Sequence, residues 1–348
     1  MGKGRVAPWL TIGHRRGKMG ARVNHLATAG RACRGRREPC SPGPPWAVSA
    51  RGFEMNNKAL VLGGKTGLLG QALVQVLAQR QWEVACLGRD DGNLLDEAVL
   101  RARLEAARAQ VVFNTIAWTQ VDAAEDDASG AGLWNRTFPG QLARLTQELG
   151  VHLVHYSTDF VFSPAQRPPT AWTEESEPCP ACVYGRTKLE GERAVLAAAP
   201  DHACVLRTAW LFGPGRKNFV TTILEACRQK DGISVVHDQV GSPTYTLDLA
   251  LWSALVAEKR LTGLYHAVNG GRASWCDLAC EAISLAETSC RVTPVTSEEW
   301  PQKATRPRYS VLNTDKLAAA LGMQLRAWPL ALREFIYNHV PHERAPHH

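Results

Sequence analysis

One feature constrains this 348-residue chain more than any other, a short apolar run that breaks into closely spaced glycines. Lys58-Ala-Leu-Val-Leu-Gly63 has no alternating polar positions, the pattern of a strand covered on both faces. Gly64-Lys-Thr-Gly67-Leu-Leu-Gly70 follows at once, then apolar residues at helical spacing through Leu73, Val76 and Leu77. Glycines where a strand turns into a helix permit a tight turn, close backbone approach to a pyrophosphate and close helix–sheet packing. The free N–H groups and the dipole of the helix N-terminus favour phosphate oxygens. A glycine triplet can also be a plain structural turn. Its place at the head of a strand–helix series points instead to a dinucleotide.

That series continues. Glu83–Leu87, Val111–Asn114, 151–157 and 203–207 read as further strands, separated by helical patterns near 97–107, 133–149 and 184–199. Strands alternating with helices at this spacing make βαβ units with right-handed crossovers, hence an α/β fold with a doubly wound parallel sheet of Rossmann type. After about residue 210 the regularity fades into shorter helices with two strands, near 233–236 and 264–268. The expected division is a dinucleotide-binding part over 55–210 and a smaller α/β substrate-binding lobe over 211–340, with some sheet contributed back to the first.

Charge separates a third segment. The whole chain has a net charge of +7, but residues 1–54 hold eleven basic side chains against two acidic ones. That segment's +9 leaves the remainder at −2, so the folded part has no general attraction for nucleic acid. Residues 1–54 are rich in Gly, Pro and Arg without apolar periodicity, and disorder is expected there. The segment reads as an over-long start ahead of a working chain beginning at Met55, with an organelle transit peptide or a nucleic-acid-binding arm as the other readings. No apolar run approaches the roughly 20 residues of a membrane helix, so neither membrane nor nucleic acid is expected as a partner, and a cytoplasmic location is. The ten cysteines are scattered, and the one close pair, Cys179-Pro-Ala-Cys182, lacks the further ligands of a zinc site. No metal site is expected.

Chemistry is carried by a few positions. The second strand ends Leu87-Gly88-Arg89-Asp90-Asp91. An acid there binds a ribose 2′-hydroxyl and an arginine accommodates a 2′-phosphate, so Arg89 favours NADPH while its acidic neighbours keep NADH open. An exposed loop arginine is the plain reading. Tyr184-Gly-Arg-Thr-Lys188 places a phenol and an ammonium four residues apart, on one helix face. A nearby cation stabilises phenolate and lowers the tyrosine pKa from about 10, allowing proton exchange near neutrality. Ser157-Thr158-Asp159 ends the fourth strand, where open α/β sheets hold their ligands. A hydroxyl there can bond the same substrate oxygen. Tyr-x-x-x-Lys alone is commonly a surface pair; downstream of the glycine turn and the strand-terminal Ser-Thr it is a catalytic candidate.

On these residues the chain resembles an extended short-chain dehydrogenase/reductase, and within that superfamily the dTDP-4-dehydrorhamnose reductases. The similarity runs from about Lys58 to Leu332 and includes Val121-Asp-Ala-Ala-Glu125, Ser157-Thr-Asp-Phe-Val-Phe162, Tyr184-Gly-Arg-Thr-Lys-Leu-Glu-Gly-Glu192, Arg207-Thr-Ala-Trp210, Asn218-Phe219 and Asp238-Gln-Val-Gly-Ser-Pro-Thr244. The resemblance implies NADPH-dependent reduction of dTDP-4-dehydro-6-deoxy-L-mannose to dTDP-L-rhamnose. It makes Tyr184 the proton donor to the C4 oxygen, Lys188 its tuner and a ligand of the nicotinamide ribose, and Thr158 an assistant at the same oxygen. Thr158, Asp159, Trp210, Asn218 and Gln239 would meet the sugar nucleotide. Gly64, Gly67, Leu68, Leu69 and Gly70 would line the pyrophosphate, with Ile116, Ala117 and Trp118 behind the third strand. Asn93 and Leu94 would lie near the adenine, although the family often has an acid at the position of Asn93. Asn135 matches an asparagine that organises a proton-relay water in the wider superfamily; a helix–helix hydrogen bond is equally consistent with it. Some members dimerise through magnesium held by a glutamate two residues after the third glycine. Ala72 stands there, so the resemblance carries no magnesium site to this chain, which is expected as a monomer or a homodimer. Two alternatives share the fold: a non-catalytic, NADP-binding regulatory subunit like that of methionine adenosyltransferase, and a related sugar-nucleotide reductase or epimerase.

Overall fold

A computed structural model describes residues 57–163, 170–300 and 302–341. The expectations for residues 1–54 and for a start at Met55 lie outside them. The strands are β1 (Lys58–Leu62), β2 (Glu83–Leu87), β3 (Val111–Asn114), β4 (His152–Thr158), β5 (Ala203–Thr208), β6 (Leu211–Phe212), β7 (Gly232–Val236), β8 (Val240–Gly241), β9 (Thr244–Tyr245), β10 (Gly263–His266), β11 (Ala273–Ser274) and β12 (Arg291–Val295). The helices are α1 (Leu68–Gln79), α2 (Glu97–Ala107), α3 (Val121–Ala124), α4 (Ala128–Gly132), α5 (Phe138–Glu148), α6 (Val183–Ala198), α7 (Phe219–Gln229), α8 (Thr246–Glu258), α9 (Trp275–Leu285), α10 (Asp315–Leu321) and α11 (Trp328–His339).

Six strands form one parallel sheet in the order β10-β5-β4-β3-β1-β2. Strand order reverses between β1 and β3, the switch point where a crevice opens outside the carboxyl ends of the strands. Both faces are covered, which explains the unbroken apolar runs. One face packs α1 and α8 through Leu73, Leu77, Leu249 and Trp252. The other packs α2, α5 and α6 through Leu100, Phe138, Leu142 and Val195. A separate apolar core lies among α7, α9 and α11, where Phe212 and Tyr245 meet Phe335. The strand expected near 264–268 is β10, and it joins the main sheet beside β5. No helix among the described residues is long and apolar enough to cross a membrane.

The helix expected over 133–149 is not uniform. Leu133–Thr137 forms a widened π-type turn before the α-helix begins at Phe138. Gly191 of α6 packs so closely on the Asn135 carbonyl that no side chain would fit there. Such π-turns concentrate at functional sites because they re-aim a side chain.

One buried ion pair fixes α6 to the sheet. Arg207 of β5 donates Nε and Nη2 to the two carboxylate oxygens of Glu192 at 2.9 and 2.8 Å. Both side chains are almost fully buried. The Arg207 guanidinium also lies 5.2 Å from the Phe162 ring. Removing one partner leaves the other as an uncompensated buried charge. Glu192→Ala is therefore expected to cost about 3–5 kcal/mol, seen as a lower urea midpoint, while the double change Glu192→Leu/Arg207→Leu recovers most of it. Equal losses in the single and double variants would show that the pair does not control stability.

Candidate active site

The adenosine end is built by β1, the glycine turn and β2. Gly63, at φ +84°, makes the reversal, and its carbonyl accepts the Gly67 amide at 2.9 Å. A Cβ on Gly67 would stand 2.8 Å from that carbonyl, so glycine is required by close approach. Gly63 is thus the left-handed residue of the turn, one position ahead of the triplet that sequence spacing singles out. Helix α1 starts at Leu68 with no side-chain cap and no acid in its first turn. The first amides, those of Leu68, Leu69 and Gly70, are left to an anion, which fits a pyrophosphate. Beyond β2, Asp91 accepts both the Gly88 amide at 2.8 Å and the Lys65 ammonium at 2.7 and 2.9 Å. Asp91 is thus paired with Lys65, and Arg89 is exposed at the same edge. Asn93 is exposed and caps the Leu95 amide through its side chain, and Leu94 is buried beneath. Ala72 is buried in the core contacted by α1.

The loop after β3 forms the next wall. Ile116, Ala117 and Trp118 are half-buried there. Asn135 holds this loop from both sides, accepting from the Trp118 amide at 2.9 Å and donating to the Trp118 carbonyl at 3.1 Å. Its Nδ2 also reaches the Thr187 hydroxyl of α6 at 3.1 Å. These bonds tie the loop after β3 to α6 through Asn135.

The reacting groups converge where β4 ends against α6. Thr158 donates to Asp159 Oδ1 at 3.1 Å and accepts the Phe160 amide at 3.2 Å, and its hydroxyl lies beside the Tyr184 phenol. The Tyr184 ring meets Phe160 edge-on at 5.5 Å. Burial raises the Tyr184 proton affinity above that of an ordinary phenol, with the Thr158 hydroxyl opposing it and the Asp159 charge adding to it. Desolvation wins, so the tyrosine stays protonated at neutral pH. Lys188 donates to the Tyr156 carbonyl at 2.6 Å. Burial also lowers Lys188 itself to about 8, with Glu192 one turn away pulling the other way. Burial raises the Asp159 carboxyl to about 6, against the hydroxyls of Ser310 and Thr158 beside it.

The opposite wall is aromatic. Trp210 sits at φ +48°, a left-handed conformation that costs a non-glycine residue roughly 1–2 kcal/mol. Its indole stacks on Trp275 at 3.6 Å with only 4° between planes, and Gly241 packs on its other edge, where a Cβ would come within 2.6 Å of the ring. Gln239 accepts from Trp275 Nε1 at 3.2 Å and donates to Ser297 at 3.0 Å. Asn218 caps α7 and donates to the Gly213 and Arg216 carbonyls at 2.8 and 3.1 Å, so its amide is committed to its own loop. Sequence reasoning missed Trp275 and Ser310. Both lie outside any recognisable motif and reach the site only through tertiary folding.

A family pattern described as the RmlD substrate binding domain covers residues 58–340. The chain belongs to the dTDP-4-dehydrorhamnose reductase family. It is 40% identical over 277 residues to a dTDP-4-dehydrorhamnose reductase of Streptomyces griseus, covering 78% of this chain and 90% of that one. It is also 40% identical over 291 residues to a probable dTDP-4,6-dihydroxy-2-methyloxan-3-one 4-ketoreductase of Streptomyces antibioticus, covering 82% and 97%. Among solved structures, a dTDP-4-dehydrorhamnose reductase from Bacillus anthracis in complex with NADP superposes with a TM-score of 0.77 at 29% identity, covering 81% of this chain and 99% of that one. As a member of this reductase family the protein is an oxidoreductase with a Rossmann-type fold. The uncapped α1 amides are the observation that fits a nicotinamide dinucleotide to it.

Lys188 gives a pH-dependent signature. The unfolded chain keeps the lysine proton up to about 10.5 and the folded chain releases it near 8. More protons are therefore bound in the unfolded state between those values, and stability rises with pH across that window. Lys188→Met is expected to be the more stable protein at pH 7, by up to about 3 kcal/mol. The gap should close as urea titrations are moved from pH 8 to 10. A gap independent of pH would show that Lys188 is not held in a destabilised charged state.

Proposed function

We propose that the chain reduces dTDP-4-dehydro-6-deoxy-L-mannose to dTDP-L-rhamnose, with residues 55–210 binding NADPH and 211–340 mainly binding the sugar nucleotide. The observation that carries this reading is the Tyr184–Thr158 hydroxyl pair beside the buried Lys188 cation, at the carboxyl end of β4 in a chain of this family. When bound, NADPH supplies the hydride for C4. Tyr184 holds its proton at neutral pH and gives it to the C4 oxygen, while the single Thr158 O–H turns from Asp159 to donate a second hydrogen bond there. The positive charge of Lys188 stabilises the phenolate left behind. Lys188 spends one of its three N–H donors on the Tyr156 carbonyl, leaving two for ribose hydroxyls. Asp159, Gln239 and the Trp210–Trp275 stack orient the sugar nucleotide. The α1 amides take the pyrophosphate and Arg89 the 2′-phosphate.

A second reading has its own support. Two relatives are named for other dTDP-linked ketosugars, the 4-ketoreductase above and a dTDP-4-keto-6-deoxy-D-glucose reductase of Streptomyces niveus, 35% identical over 281 residues. The chemistry at C4 is then unchanged and only the hexose differs.

Following nicotinamide absorbance with NADPH and enzymatically prepared dTDP-4-keto-L-rhamnose, we expect steady oxidation. NADPH binding without turnover on any dTDP-4-keto sugar would favour the regulatory-subunit alternative. Tyr184→Phe should lower kcat by about 10²–10⁴-fold while leaving NADPH affinity within about twofold. A variant retaining the full rate would remove Tyr184 as the proton donor. Arg89→Ala should weaken NADPH by about tenfold and NADH hardly at all, since the lost contact is one charge-assisted phosphate bond. Equal weakening of both cofactors would leave Arg89 without that role.

A further inference from the structure

The Val121-Asp-Ala-Ala-Glu125 segment has no part in the chemistry described so far, yet its acids make specific long-range bonds. Glu125 accepts the Val183 amide at 2.8 Å and so holds the start of α6, next to Tyr184. Asp122 binds Arg306 in a two-pronged pair, Nη1 to Oδ1 and Nη2 to Oδ2, both at 3.0 Å, and also accepts the Ala304 amide at 3.0 Å. Both side chains of the pair are mostly covered, with 15% and 16% exposure. Lys303 adds a more exposed ion pair to Asp126.

From that anchor the chain runs on, as a strap over Lys303–Asn313, to the other walls of the site. The Val240 amide of β8 donates to the Arg308 carbonyl at 3.0 Å, and the Ser310 amide returns to the Val240 carbonyl at 2.8 Å. Val240 lies between Gln239, which binds Trp275, and Gly241, which packs on the Trp210 indole. The Ser310 side chain lies beside the Asp159 carboxyl, whose Oδ2 has no hydrogen-bond partner. Further on, Val311 and Asn313 bond the backbone of Trp172 on both sides, at 2.8 and 2.7 Å. One segment therefore touches the cofactor wall at α3, the end of β4 at Asp159 and the aromatic wall through β8.

We propose that Asp122 and Arg306 are positioning residues: their ion pair sets the register of the strap, and the strap sets Gln239, Trp210 and Asp159 for the nucleotide sugar. This rests on the reductase reading for the identity of the ligand, but not for the mechanical link. The physical case is that a two-pronged Arg–carboxylate pair fixes direction as well as distance. The β8–strap ladder then transmits that position by main-chain bonds rather than by flexible side chains. A displacement of about 1 Å at groups that orient a substrate is enough to lose ten- to a hundredfold in binding or rate.

The test uses Asp122→Asn, which keeps shape and removes charge, and Arg306→Lys, which keeps charge and removes the fork. Calorimetry with dTDP and, separately, with NADPH reads the two walls apart. We expect dTDP affinity to fall about tenfold in either variant, with NADPH affinity within about twofold of wild type. Amide exchange on the unliganded proteins should show faster exchange at Val240 and Ser310. Equal loss of both ligands would reduce the pair to general stability and overturn the proposal. Unchanged dTDP affinity with unchanged exchange would overturn it too. If the wild-type protein binds no dTDP, the reductase reading fails, and the exchange data alone decide the strap: protection lost at Val240 and Ser310 supports it, protection retained defeats it.

Discussion

The Glu192–Arg207 pair is the contact on which the catalytic face depends. It ties the middle of α6 to β5 in a region with almost no solvent, and α6 carries Tyr184 two turns and Lys188 one turn ahead of Glu192. Taking two charges out of water is costly, and the cost is tolerable here because both carboxylate oxygens and two guanidinium nitrogens are matched. Glu192 has a second effect. It lies four residues beyond Lys188 and supports that buried ammonium against its own desolvation. One carboxylate thus holds the helix in place and helps keep its neighbouring cation charged.

Burial governs the titration of the site more than pairing does. The phenol, the ammonium and the Asp159 carboxyl are all displaced toward their neutral forms, and in each case desolvation is the first cause. The arrangement suits a group that must keep its proton until a substrate oxygen draws it away. Lys188 donates to the Tyr156 carbonyl of β4.

Much of the fold is legible in the sequence because it is written locally. A strand buried on both faces needs a continuous apolar run, and Lys58–Leu62 and Ala203–Thr208 show it directly. Tyr184 and Lys188 are legible for a similar reason, since four-residue spacing on a helix is a local fact. What escapes is set by tertiary geometry. The glycine spacing draws attention to Gly64, Gly67 and Gly70, while the left-handed turn falls on Gly63. Trp275 reaches Trp210, and Arg306 reaches Asp122, across long stretches of chain, and no periodicity marks either. The part Asn218 plays in closing a helix and a loop is likewise set by the folded geometry.

The sixth strand of the sheet has a consequence for how the molecule holds together. β10 reaches β5 only after the chain has made α7, β7, β8, β9 and α8, and residues Asn56–His348 form one compact unit. A chain ending near residue 210 would leave β5 as a bare, largely apolar edge, a template for pairing with other molecules rather than a finished surface. The sheet is completed by sequence that lies beyond much of the second core. The sheet that carries the cofactor end is therefore completed by chain from the other half.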